Sequence, residues 1–166
     1  MIKFLEAVSE WAGRITAWLV PLMALIVVYD VSMRAIFQEG SVGLQELEWH
    51  LFAIVFLLGA AYTFKHDSHV RLEIFYQNFS NRTRAWIEIL GTLLVLLPLC
   101  IVIIQSAIPF VENAFNYNEH SPDPGGLPHR FLIKAAIPAG FLLLALQGVA
   151  NMLRAARVLT GKEINS

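Results

Sequence analysis

Charge is the scarcest property of this chain. Asp, Glu, Lys and Arg make up 15% of its residues while 57% are hydrophobic, against roughly 25% charged in a soluble domain. That gap excludes an ordinary soluble core. The length of 166 residues suits one domain, taken as 1–166. Cysteine is nearly absent as well. Cys100 stands alone amid Leu96–Ile104, which rules out an internal disulfide or a cysteine metal cluster. It reads as a small residue facing core or lipid. The net charge of −1 carries no signal for nucleic acid, and no such partner is expected.

Three further absences narrow the function. No small-x-small cleavage site follows Val28, and Glu6 and Glu10 oppose Lys3 and Arg14, so the first apolar segment is expected to be retained. No internal repeat is visible, which argues against an inverted-repeat transporter built within the chain. The span centres, Leu22–Val28, Phe52–Gly59, Leu93–Ile103 and Ala139–Leu146, hold almost no polar groups. A proton or ion path needs several at mid-depth. These helices read as built to pack and to face lipid.

What the chain does contain is four long apolar stretches, each near the ~20 residues that cross ~30 Å of hydrocarbon. The expected spans are approximately 14–37, 44–64, 85–111 and 131–152, with an outer loop at 112–130. Met1–Gly13 has helical spacing of Ile2, Phe4, Leu5, Val8 and Trp11, and suits a short amphipathic segment lying at the interface. The stretch Lys65–Arg84 carries Val70, Leu72, Ile74, Phe75 and Phe79, enough for a second interfacial segment. Pro21 interrupts the first span, which membrane helices tolerate. The fold class is therefore an all-α integral membrane protein with four transmembrane helices.

Orientation follows from Lys and Arg. With the amino terminus in the cytoplasm, Lys3, Arg14, Lys65, Arg71, Arg82, Arg84, Arg154, Arg157 and Lys162 fall inside. Only Arg34, Arg130 and Lys134 fall outside. The imbalance places both termini in the cytoplasm. The cluster Lys65, His66, His69 and Arg71 reads as a topology anchor and lipid headgroup contact. His66 and His69, three apart, supply at most a partial ligand set, so no metal is expected.

Other polar residues are candidates for contact with a partner. Asp30 and Arg34, four apart, can pair along one helix face. Glu46 and Glu48 enter the second span on different sides of its helix, and an acid entering hydrocarbon normally faces protein or water. Glu48 and Lys134 are both early in helices entering from the outer side and can approach one another. Ala136 and Gly140, four apart, permit close helix approach. His50 could ligate haem, but a haem-bearing anchor usually wants a second buried histidine; His120 and His129 both sit in the outer loop.

The segment LGAAYTFKHDSHVRLEIFY (Leu58–Tyr76) resembles the Gly-Ala-Ala-Tyr…His-Val-Arg signature of the small, DctQ-like membrane subunits of tripartite ATP-independent periplasmic (TRAP) transporters. GGLPHRFLIKAAIPAGFLLLALQGVANMLRA (Gly125–Ala155) is similar to that family's last helix, with its Lys134, Ala135, Pro138 and Gly140. The resemblance implies a bacterial inner-membrane scaffold, not an enzyme and without cofactor. Its implied partners are a large DctM-like elevator subunit, a DctP-like periplasmic binding protein and membrane lipids. Transport would be driven by a sodium gradient, with organic acids the usual substrates. On this reading Glu46, Glu48, Lys134, Ala136 and Gly140 are expected at the large subunit. Asn116, Tyr117 and Asp123 are expected towards the binding protein. The alternatives are a membrane anchor of a haem or quinone redox complex, centred on His50, and a small self-associating channel.

Overall fold

The structure, a computed structural model, describes residues 2–66 and 79–160. Among them it is all helical, with four helices long and apolar enough to cross a membrane: α1 (Ile2–Phe37), α2 (Val42–Lys65), α3 (Asn81–Asn116) and α4 (Phe131–Leu159). Four such helices were expected, and each runs longer than the span read from its apolar residues.

The first correction concerns α1. Met1–Gly13 was expected to form a separate interfacial segment, yet one helix runs from Ile2 through Pro21 to Phe37. Its 36 residues are roughly 54 Å long at 1.5 Å per residue, well beyond a hydrocarbon core of about 30 Å. The added length at the amino-terminal side, before about Ile15, brings Glu6 and Glu10 to the ends of α4 and α2. α1 stops where Gln38 turns left-handed at φ 55, a common way to end a helix. Ser41 then caps α2, its hydroxyl accepting the Leu44 N–H at 3.3 Å.

The third helix also extends further than expected, to Asn116, so the connector begins at Tyr117 and not at Glu112. Its middle is not regular. Thr92–Leu96 forms a π turn, in which Leu97 donates its N–H to the Thr92 carbonyl five residues back. Pro98 follows immediately; it has no N–H, and its ring crowds the carbonyl four residues earlier. Widening the preceding turn accommodates that crowding. Most of the second expected interfacial stretch, with His69 and Arg71, lies outside the described residues.

α4 organises the packing. It touches all three other helices, and its apolar stretch is the most buried of the four. α1 packs on α2, α2 on α4, and α4 on α3. Lipid-facing helices have no solvent contrast to drive association, so close backbone approach does the work. Gly140 shows this: a Cβ there would lie 2.7 Å from the Leu57 carbonyl oxygen of α2. Gly13 does the same for α1, where a Cβ would fall 2.1 Å from the Tyr62 ring. Chain direction alternates through the bundle, so the ends of α1 and α4 that carry the termini share one end. The connector 117–130 closes the other.

Candidate functional site

The polar residues of the bundle gather at its two ends. At the terminal end, Lys65 of α2 donates to Glu10 of α1 at 2.7 Å. His66 Nε2 lies 3.2 Å from the same carboxylate, and Arg14 approaches its other oxygen at 3.4 Å. The Lys65 ammonium, joined by the His66 ring, holds the Glu10 carboxyl down at about 2, against an ordinary 4.5. A second clamp joins Arg154 of α4 to Glu6 of α1. Lys65 and His66 were expected to meet lipid headgroups. Both bond to Glu10, with Lys65 largely buried and His66 still exposed.

One turn from that end lies a buried amide pair. Gln147 is fully buried and donates through Nε2 to Asn151 Oδ1 at 2.9 Å. Asn151 in turn donates to the Phe64 carbonyl of α2 at 3.4 Å. The Gln147 Oε1 is buried and lacks a hydrogen-bond partner among the described residues. This pair spans α4 and α2 only, and makes no path through the bundle.

At the loop end, Glu46 dominates. It is buried, and its carboxylate accepts the Ser121 hydroxyl at 2.5 Å and the Leu127 N–H at 2.6 Å. It therefore ties the connector to the first turn of α2. Lys134 forms an ion pair with Glu119 and lies 3.9 Å from the Phe110 ring. It does not pair with Glu48, as the sequence had suggested. Asp30, fully buried, carries the expected pair with Arg34 at 2.5 Å. Glu48 is half-buried, with one buried oxygen that has no hydrogen bond among the described residues. The His50 Nδ1 lies 2.5 Å from the Glu46 carbonyl, so that ring nitrogen is engaged with the helix's own backbone.

Of the five residues expected to face a partner, four are committed within the chain. Glu46 holds the connector, Lys134 holds Glu119, and Ala136 and Gly140 are buried, with Gly140 set directly against α2. Asn116 at the end of α3, and Tyr117 and Asp123 in the connector, are all exposed. Sequence reasoning missed the clamps Glu10–Lys65 and Glu6–Arg154. Their signal was present: two acids four apart on one helical face, on the same side of the membrane as Lys65 and Arg154.

The model of the DctQ component of tripartite ATP-independent periplasmic transporters matches residues 23–158. A Haemophilus influenzae protein named as a TRAP transporter small permease protein is 26% identical over 125 residues, covering 75% of each chain. The family match begins within α1, beyond Glu6 and Glu10, and includes both the Glu46 clamp and the buried amide pair. This multi-pass protein of the bacterial cytoplasmic membrane belongs to the DctQ family, the small membrane component of TRAP transporters.

Proposed function

We propose that the chain is the fixed scaffold of its transporter. It holds a large elevator subunit in place and helps seat the periplasmic binding protein, while a sodium gradient drives uptake of an organic acid through the larger subunit. One observation carries this reading: four of the inward polar groups join one part of the chain to another. Glu46 secures the connector, Glu10 and Glu6 secure α1, and Asn151 secures α4 to α2. Much of what faces outward is apolar, including Leu22, Leu25 and Val28 on α1 and Leu94, Val95 and Val102 on α3. A rigid body with broad apolar faces suits a scaffold; a moving substrate carrier needs a polar site at depth.

In this reading both termini are cytoplasmic, as the Lys and Arg distribution favours. The exposed Asn116, Tyr117 and Asp123 then face the binding protein. Glu48 is retained as a contact for the large subunit, alongside the outward faces of α1 and α3.

The test is reconstitution. Liposomes would receive the large subunit alone, this chain alone, or both, with the binding protein and a panel of radiolabelled organic acids outside. The reading expects sodium-dependent uptake only with both membrane proteins. Uptake by this chain alone, or undiminished uptake without it, would overturn the reading.

A further inference from the structure

We propose that the groove between α2, α3 and α4 at the loop end binds a membrane phospholipid, its phosphate on Arg130 and an acyl chain along the aromatic wall. This rests on the chain spanning a membrane, and is independent of the transporter assignment. The groove has a volume of about 670 Å³ and is lined by Trp49, Phe52, Phe56, Phe110, Ile133 and Ile137, with Arg130, Lys134 and Glu119 at one end.

Its polarity is graded along its length. The charged groups lie beside the connector, where the bilayer's polar region meets the bundle. From Trp49 to Phe56 the wall then descends two turns of α2, roughly 10 Å, without a charge. The Phe52 and Phe56 rings stack along it, centroids 6.5 Å apart, and both are exposed. Trp at the polar margin with apolar rings below matches the arrangement of an interfacial aromatic belt.

Arg130 is the anchor. Its guanidinium sits over the Trp49 ring, 5.6 Å from the centroid, and forms no ion pair among the described residues. The nearby Glu46 carboxylate cannot serve it fully, because its oxygens already accept from Ser121 and Leu127. An arginine fork with free donors, desolvated on one side by an indole, is suited to two phosphate oxygens. Lys134 is held by Glu119 and adds a second positive group, while Glu119 sets a limit on how much negative charge the mouth accepts. A phosphodiester headgroup with one negative charge fits that balance. An apolar partner helix would fill the aromatic wall equally well but would leave Arg130 without an anion.

The test uses fluorescence. Trp11, Trp18 and Trp86 are changed to Phe, leaving Trp49 as the sole indole. The full chain in mild detergent is titrated with phosphatidylglycerol carrying brominated acyl chains, and separately with a brominated diacylglycerol that lacks phosphate. The proposal expects half-quenching at roughly tenfold less phospholipid than diacylglycerol, the scale of a hydrogen-bonded contact to a charged group. Arg130→Gln should abolish that preference, and Arg130→Lys should keep part of it. Equal quenching by both lipids, or an undiminished preference in Arg130→Gln, would overturn the proposal.

Discussion

The Glu46 carboxylate accepts the Leu127 N–H at 2.6 Å, although the two residues stand 81 positions apart. One side chain in the first turns of α2 thus fixes a loop that follows α3. Glu46→Gln keeps the shape but loses the charge, and a charged acceptor makes the stronger bond. The expected outcome is faster amide exchange at Leu127 and across the connector, with α1 and α2 unchanged. Hydrogen exchange measured by mass spectrometry checks this. Uniform protection in both proteins would mean that the connector is held by something else.

Two glycines should respond with opposite signs. At Gly140 a methyl group meets the Leu57 backbone, which cannot swing aside. Gly140→Ala should therefore lower stability by about 1–3 kcal/mol, the usual cost of overpacking. At Gly91 a Cβ meets nothing within 4 Å, so Gly91→Ala should raise stability by about 0.5–1 kcal/mol through helix propensity alone. Thermal unfolding in a single detergent compares them directly.

The amide pair calls for a double-mutant cycle. Asn151→Leu strands the buried Gln147 amide and should cost about 1 kcal/mol, within the range for interhelical hydrogen bonds in membranes. Gln147→Leu in the same chain removes the stranded group, so the double variant should recover part of the loss. Strict additivity would show that the two amides do not act as a unit.

Acid should loosen the terminal end only at very low pH. Lys65 holds the Glu10 carboxyl at about 2 against an ordinary 4.5. A depressed carboxyl contributes stability that is full above its unfolded value and is lost as pH falls through the folded one. Glu10→Gln should thus melt below the parent chain at pH 7 and at pH 5, and the difference should shrink as pH falls from about 4.5 towards 2. A difference independent of pH would indicate packing and not charge.

The four spans were legible because length and apolarity are local properties. The Asp30–Arg34 pair was legible for the same reason, since both residues sit on one helix. Which faces meet was not. In lipid an inward and an outward face are both apolar, so periodicity cannot choose between them. Gly140 was recognised as permitting close approach, but nothing local could show that α2 of the same chain fills it. Lys134 and Glu119 are joined across a connector whose path depends on the Glu46 clamp, which is itself a long-range bond. α1 was divided at Gly13 because its residues there look amphipathic. The helix runs on through Gly13, which lies against Tyr62 of α2.

The scaffold account is tested most directly by what leaves the membrane with this chain. A tagged copy, extracted in mild detergent from its native membrane, should bring with it one much larger multi-span protein in near-equal amount. Glu48→Lys should reduce that recovery without reducing the chain's own. Recovery of the chain alone, or together with haem and soluble redox subunits, would contradict the account.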